Sequence, residues 1–344
     1  MNQTLPDPIE VIAPNLKRRL SGVTATIARL VPVQAGMIGI VTTGPGLPED
    51  LPHVPVWRLP FLPRRMRVWH ARRNTEMLLG LGLRACGMRL RLLFTSASQR
   101  RHSGYTKWLI ARMDAVVATS ARTATYLERP ATVIHHGIDT GTFTPASDRA
   151  ALRARLGLPD GLLIGCYGRI RAQKGTDAFV EAMIALLPTR PGVTALVMGR
   201  ATEGQGAFLD GLKASVNAAG LEARILFPPE VPVDQMADWY RVLDLYVAPQ
   251  RWEGFGLTPI EAMACGVPVV ATRVGAFEEI VTAETGALVE PGDITALTAA
   301  CVPFVDDPAR LAAASHAARA HVEADFRIET EAAALVRIYR GLLA

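Results

Sequence analysis

The segment from Trp252 to Glu261 (WEGFGLTPIE) sets two carboxylates, Glu253 and Glu261, around a glycine turn and a helix start. Gly254 and Gly256 flank Phe255, so the turn is tight. It leaves backbone amides open at a helix N-terminus, where the helix dipole favours an anion. Thr258, Pro259 and Glu261 match the N-cap, N1 and N3 positions of a capping box, which gives Glu261 a purely structural reading as a tie back to the Thr258 backbone. Glu253 has no such reading. A carboxylate beside an anion site gains nothing in stability, but it suits hydroxyl groups, such as those of a sugar, that need an acceptor. A second stretch, from Gly168 to Gly175 (GRIRAQKG), places Arg169 and Lys174 on one short loop. Loop cations are usually just solvated. If both reach one crevice they grip a diphosphate, Arg by forking two oxygens and Lys as a point charge, at about 1.5–3 kcal/mol per charged hydrogen bond. A third stretch, Ser21-Gly22-Val23 behind Lys17, Arg18 and Arg19, has a glycine that lets a phosphate approach closely, although an ordinary turn has the same residues.

The elements that position these residues follow from the apolar pattern. In the second half, short apolar runs at Leu162–Tyr167, Val193–Gly199, Arg224–Phe227, Leu243–Ala248, Val267–Thr272 and Ala287–Val289 read as strands. Between them Thr176–Leu187, Ala207–Ala219, Asp234–Val242, Thr258–Ala264 and Gly275–Val281 read as helices, with another at Asp293–Phe304. Continuous apolar strands alternating with helices predict a parallel sheet buried on both faces, the doubly wound α/β plan. The first half repeats the theme, with strands at Ile9–Ala13, Met37–Val41, Val54–Leu59, Arg91–Phe94, Ala115–Ala118 and Ala131–His135 and helices at Gly22–Leu30, Val68–Cys86, Gly104–Met113 and Ser120–Leu127. The turn-rich Phe143–Asp148 (FTPASD) marks a boundary. The pattern therefore predicts two Rossmann-like domains, 1–148 and 149–325, followed by a helix at 326–344 that crosses back to the first. In such sheets ligands bind beyond the carboxyl ends of the strands, so two sheets would bring two such edges to one cleft.

With 344 residues, 49% hydrophobic and 20% charged, the chain has ample material for two packed cores, which excludes wholesale disorder. The 4 cysteines have no metal-ligand or disulfide-framework spacing, and Asp306-Asp307 reads as a helix boundary, so no metal is expected. No run of about 18 apolar residues is present and the N-terminus does not read as a signal peptide, so a cytoplasmic location is expected. Charge is unevenly placed. Residues 1–150 hold 20 Lys and Arg against 9 Asp and Glu, whereas residues 151–344 hold 17 against 23. From Arg58 to Arg112 there are 13 basic residues and one acid, Glu76. Nucleic acid is a poor match because the rings in this run, Phe61, Trp69, Phe94, Tyr105 and Trp108, sit in no binding motif. An anionic membrane face or a phosphorylated lipid fits better.

With these residues in place, the chain resembles glycosyltransferase family 4, the retaining GT-B enzymes that use nucleotide sugars. The resemblance runs over most of residues 130–344, from His136-Gly137-Ile138-Asp139 to the final helix, and rests on GRIRAQKG, on FPPEVP at 227–232 and on the Glu253/Glu261 pair within WEGFGLTPIEAMACGVPVVAT. The opening PNLKRRLSGVTAT and TSASQRRHSGYTKWLI resemble the bacterial lipopolysaccharide core mannosyltransferase branch. The resemblance implies transfer of a hexose, mannose from GDP-mannose, onto a lipopolysaccharide core or other anionic lipid-linked glycan acceptor. A UDP-sugar donor with another acceptor and a non-catalytic nucleotide-sugar binder are the alternatives. It implies that Arg169 and Lys174 bind the donor diphosphate in place of a metal, and that Glu253 contacts the donor sugar with the amides of Phe255, Gly256 and Leu257. Thr258 would touch the distal phosphate and Glu261 the ribose. Gly22 would flank the diphosphate from the first domain, and the base would lie near Met198, Gly199 and Val231. The family histidine after the fourth strand is replaced by Thr95-Ser96-Ala97, which leaves His102 as the nearest candidate, for that role or facing the acceptor. The implied setting is peripheral, on the cytoplasmic face of the inner membrane, held there by the basic first domain.

Overall fold

The computed structural model describes residues 5–18 and 22–344; Arg19 and Ser21 of the third stretch lie outside them. The chain divides into two units, one of residues 1–137 with 328–344 and the other of residues 138–327. The first holds a six-stranded parallel sheet of β1 (Val11–Pro14), β2 (Ile40–Thr43), β3 (Arg67–Ala71), β4 (Leu90–Ser96), β5 (Ala115–Ala118) and β6 (Thr132–Val133), in the order β2-β1-β3-β4-β5-β6. Its helices are α1 (Gly22–Ala35), α2 (Asn74–Ala85), α3 (Gly104–Ile110) and α4 (Ala121–Ala124). The second unit opens with α5 (Arg149–Arg155) and has β7 (Leu162–Tyr167), β8 (Val193–Met198), β9 (Ile225–Leu226), β10 (Leu245–Ala248), β11 (Val269–Thr272) and β12 (Gly286–Val289), in the order β12-β11-β10-β7-β8-β9. Its remaining helices are α6 (Thr176–Leu186), α7 (Gly206–Ala218), α8 (Met236–Arg241), α9 (Leu257–Ala264), α10 (Phe277–Ile280), α11 (Ile294–Asp306) and α12 (Pro308–Asp325); α13 (Ile328–Leu343) then belongs to the first unit.

The strands read as unbroken apolar runs because each feeds two cores. Along β7, Leu163 and Tyr167 enter one cluster while Ile164 and Cys166 enter the other. Along β4, Leu92 and Phe94 face one way and Leu93 the other. This is the two-sided burial that a parallel sheet under helices requires. The predicted doubly wound plan is found in both halves.

Four expectations need correction. Val54–Leu59 is not a strand: Val56–Phe61 winds as a short 3-10 turn entered from Pro55 and carrying Pro60, whose missing N–H suits no ladder. The helix expected over Val68–Cys86 is two elements. Val68, Trp69, His70 and Ala71 are all fully buried in the central strand β3, and the helix starts only at Asn74. Helix α12 was not anticipated because its alanine-rich sequence has no apolar period; it docks through Ala314, Ala318 and Val322. Finally, the chain passes between units at Gly137/Ile138 and again at Arg327/Ile328, so Phe143–Asp148 falls inside the second unit.

Helix α13 completes the first unit. Ile328, Ala332, Leu335, Val336 and Tyr339 join the cluster of β1, β2 and α1. Polar contacts fix its register: Glu331 accepts from the Gly137 amide at 2.8 Å and meets His136 Nδ1 at 2.8 Å. Tyr339 Oη lies 2.6 Å from Nδ1 of fully buried His70, whose Nε2 is 2.7 Å from Thr95 Oγ1. Burial, then the Arg72 charge, holds the His70 ring well below its ordinary value. The unfolded ring takes a proton below about pH 6.5 and the native ring does not, so the unfolded state binds more protons there and stability falls with pH below about 6.5. The urea midpoint of the protein should therefore drop between pH 7 and pH 5, and His70→Gln should flatten that drop; an equal slope in the variant would remove His70 as its source.

Candidate active site

In the second unit the strand order reverses between β10 and β7, and the loops leaving β10, β7 and β8 meet at that point, where doubly wound sheets bind ligands. The loop after β7 runs through Gly168, Arg169 and Ile170 into a short turn, Ala172–Lys174, and ends on Gly175 at φ 69°. It is stitched to the loop after β8, Gly168 N donating to Met198 O at 2.9 Å and Ile170 N to Arg200 O at 3.0 Å. Two glycines are obligatory here. A Cβ on Gly199 would lie 1.8 Å from Gly168 O, and one on Gly175 would lie 1.8 Å from Pro249 O. The three loops thus cross backbone against backbone.

Arg251 locks this crossing. Its amide donates to Gln173 O at 3.0 Å, and its guanidinium forks Asp177, in the first turn of α6, at 2.7 and 2.9 Å. The same guanidinium reaches Ala172 O at 2.5 Å. The lock sets Lys174 against Glu253: Lys174 Nζ pairs with Glu253 Oε2, both side chains less than a fifth exposed. The other carboxylate oxygen, Oε1, accepts from the Gly254 amide at 2.9 Å. Arg169 is exposed, and among the described residues no carboxylate is paired with it. Arg169, Lys174 and Met198 line one crevice together with Cys166 and Gln250. Burial pushes the Cys166 thiol up to about 12, so it stays protonated despite Lys174. Gln250 is 3% exposed and its Oε1 has no partner among the described residues.

The capping box is not formed. Helix α9 begins at Leu257, with Gly256 at its N-cap in a φ of 95°. The position is closed to side chains because a Cβ on Gly256 would lie 2.2 Å from the Phe277 ring. Thr258 therefore sits inside the helix, where its hydroxyl meets that of Tyr246, and Glu261 accepts from Tyr240 Oη at 2.8 Å instead of reaching back. Tyr167, Tyr240 and Tyr246 pack together beneath, Tyr246 edge-on to both of the others, with ring centroids 5.2 to 5.9 Å apart. Burial and then the Glu261 charge hold the Tyr240 phenol well above its ordinary value, so it remains a donor to that carboxylate. Phe255 is buried, Val231 packs at the edge of the same core, and Asp306 and Asp307 are occupied by Arg190 and by capping α12.

Gly22 and His102 belong to the first unit. Gly22 opens α1, and a Cβ there meets nothing within 4 Å, so packing does not demand glycine. His102 follows β4 with its Nε2 enclosed and unpartnered among the described residues. Burial, then Arg100 and Lys107, lowers its pKa, so the ring is neutral. Sequence reasoning missed Arg251, Asp177, Gln250, Tyr240 and Tyr246, although Arg251 stands two residues before Glu253.

Two parallel six-stranded sheets, each covered by helices, make a two-Rossmann α/β enzyme architecture, with the Lys174–Glu253 pair at one strand edge of the second sheet. The model for "Glycosyl transferases group 1" matches residues 148–321, and the chain belongs to that family. It is a glycosyltransferase of the GT-B architecture. It is 55% identical to the lipopolysaccharide core biosynthesis mannosyltransferase LpsB of Rhizobium meliloti (strain 1021), over 97% of this chain and 98% of the relative. It is likewise 55% identical to the lipopolysaccharide core biosynthesis mannosyltransferase LpcC of Rhizobium leguminosarum bv. viciae, over 97% of each chain. Among solved structures, Anabaena Alr3699/HepE in complex with UDP superposes with a TM-score of 0.84 at 18% identity over 96% of this chain and all of that one, a likeness of fold. The C-terminal domain of Francisella tularensis LpcC matches 56% of this chain and all of that domain, at 35% identity and a TM-score of 0.54.

If Arg251 places Lys174, Arg251→Ala should lower kcat/KM for transfer about tenfold, or ~1.4 kcal/mol, because small misplacements of a binding group are costly. Asp177→Asn should do the same, and the double variant should cost no more than either alone, since both break one lock. Additive losses in transfer kinetics would show that the two residues act separately.

Proposed function

We propose that the chain transfers mannose from GDP-mannose to a sugar of the lipopolysaccharide core, with retention of configuration and without a metal. The observation that carries this is the Lys174–Glu253 pair beside Arg169 at the strand reversal, in a chain 55% identical over nearly its whole length to enzymes named as lipopolysaccharide core mannosyltransferases. Lys174 turns from Glu253 to the donor diphosphate, which Arg169 also grips, and Glu253 is released to accept from sugar hydroxyls. Glu261 holds the ribose and the Met198–Gly199 segment receives the base, with Val231 beside it. The bond from the sugar C1 to the diphosphate breaks, the bond to the acceptor oxygen forms on the same face, and the acceptor proton passes to the departing diphosphate. Catalysis is then charge stabilisation by preset cations, with no proton acid among the side chains.

Arg169→Ala and Lys174→Gln should each reduce kcat by about 100- to 1000-fold, or ~2.7–4 kcal/mol; the exposed Arg169 can be lost with little change in melting temperature, whereas Lys174→Gln should lower it because Glu253 loses its partner. Loss within about threefold, or roughly 0.7 kcal/mol, in a radiolabelled transfer assay would overturn the diphosphate assignment. GDP should raise the melting temperature more than UDP or ADP, because a ligand that binds only the native state stabilises it.

We further propose that the first unit rests on the anionic cytoplasmic face of the inner membrane. The basic run does not act as one surface. Arg67 is 3% exposed and bonds to the carbonyls of Ile9 and Pro63, and Arg73 is paired with buried Glu76 at 2.8 Å. Arg89, Arg91, Arg100, Arg101, Lys107 and Arg112 are exposed, but cations stand beside large exposed apolar side chains in the proline-stiffened turn at 56–65, where Trp57 and Phe61 are 66% and 81% exposed next to Arg58, Arg64 and Arg65. No helix among the described residues is long and apolar enough to cross a membrane, so attachment would rest on such a turn. Each cation near an anionic surface contributes ~1 kcal/mol. Replacing all three arginines by Gln should thus weaken sedimentation with anionic vesicles roughly a hundredfold at low salt, and Trp57→Ala/Phe61→Ala should weaken it further. Unchanged vesicle partitioning in these variants would refute this surface.

A further inference from the structure

Gln250 stands where the chain leaves β10, between Pro249, whose carbonyl faces Gly175, and Arg251. Its main chain is pinned on both sides. Gln250 O accepts from Thr272 Oγ1 at 2.6 Å, and the Arg251 amide that follows donates to Gln173 O at 3.0 Å. The side chain lines the crevice that Arg169, Lys174 and Cys166 also line. There it is 3% exposed, and its Oε1 is enclosed with no partner among the described residues. An amide carbonyl buried without a donor costs stability, and a Met or Leu would fill the same space without that cost. Packing therefore does not call for an amide at this position.

The crevice is small. Its volume of ≈ 10 Å³ suits one water molecule or one ammonium group and is too little for a sugar, a base or a phosphate. The Arg169 guanidinium is likewise too broad for it. The Lys174 ammonium has the right size, lines the same space and carries three N–H groups, of which Glu253 Oε2 takes one. Cys166, held protonated, offers no anion to compete for it.

We propose that Gln250 is the second berth of Lys174: when a diphosphate draws the ammonium off Glu253, Gln250 Oε1 accepts one of its N–H groups and aims the charge at the phosphates. The inference deepens the reading of Lys174 as a diphosphate ligand and rests on it. A neutral acceptor suits the role. A carboxylate at this position would hold the ammonium as Glu253 does and compete with the ligand, whereas a carbonyl orients the cation and leaves its charge for the diphosphate. Gln250 is thus a positioning residue, because it acts through Lys174.

The test is calorimetric titration of the full chain with GDP and with UDP, in four forms: the parent, Gln250→Met, Lys174→Gln and the double variant. Gln250→Met should weaken both nucleotides about tenfold, the weight of one charged hydrogen bond. The melting temperature of the ligand-free variant should stay level or rise, because an unpaired buried carbonyl is gone. The factor should be equal for GDP and UDP, since no base reaches the crevice. In the Lys174→Gln background Gln250→Met should change either affinity by less than about twofold, because the group it orients is absent. Gln250→Leu carries the same expectations should Gln250→Met fail to fold. If the parent binds neither nucleotide, or Lys174→Gln leaves both affinities unchanged, the diphosphate reading and the proposal fall together. The proposal alone is overturned if Lys174→Gln weakens binding and Gln250→Met does not. It is also overturned if Gln250→Met acts equally with and without Lys174, or on one nucleotide only.

Discussion

The site depends on one charge pair. Lys174 and Glu253 sit largely out of water, 79 residues apart in sequence. Leaving either alone would expose the other to the full cost of an unpaired, partly buried charge, on the order of several kcal/mol. The pair therefore holds the loops after β7 and β10 in register. On the function proposed above, it also stores in mutually neutralised form a cation for the donor's diphosphate and a carboxylate for its hydroxyls. The glycines at 175, 199 and 256 allow this by letting backbone meet backbone or ring where a Cβ would collide. Arg251 and Asp177 then bolt the crossing from the outside.

The two units divide the chemistry of charge. The second sets cations against acids at its strand edge, Lys174 against Glu253 and Arg251 against Asp177, and leaves Arg169 in solvent. The first collects cations in excess, but the excess separates by depth. Some are structural and fully satisfied, as Arg67 is by carbonyls. Some line a cavity where the first sheet's strand order reverses between β1 and β3, as Lys17, Arg72 and Arg100 do, and some stand in solvent around Trp57 and Phe61. A count of charges along the sequence merges these three populations, and only burial resolves them.

The parallel-sheet plan was legible because strands buried on both faces must be apolar throughout, and those runs stand out between amphipathic helices. The charged candidate residues were legible because Arg169, Lys174, Glu253 and Glu261 lie within two short stretches, of which the structure brings Lys174 to Glu253 and sets Arg169 in the same crevice as Lys174. What escaped was fixed by distant partners. Central strand β3 carries Arg67 and His70, polar residues that look foreign to a core until Ile9 O and Tyr339, 269 residues beyond His70, satisfy them. The capping box was a sound local inference, yet Phe277 closes the space beside Gly256 and Tyr240 claims Glu261. Arg251 and Gln250 act through contacts that no spacing rule records. The end of the first unit was misplaced because the turn-rich FTPASD segment is only a surface loop, while the true crossing at Gly137 is anchored by Glu331, 194 residues later.

That late anchor bears on how the protein is made. The first 137 residues cannot bury Val11, Ile27 or Val31 as they are buried in the finished molecule until α13 supplies its apolar face. During synthesis the second unit has its whole chain available before the first does, an inversion of the usual N-terminal-first order. A nascent or truncated chain lacking the last sixteen or so residues, roughly the length of α13, would leave greasy strand-covering surface uncovered and invite capture by chaperones or proteolysis.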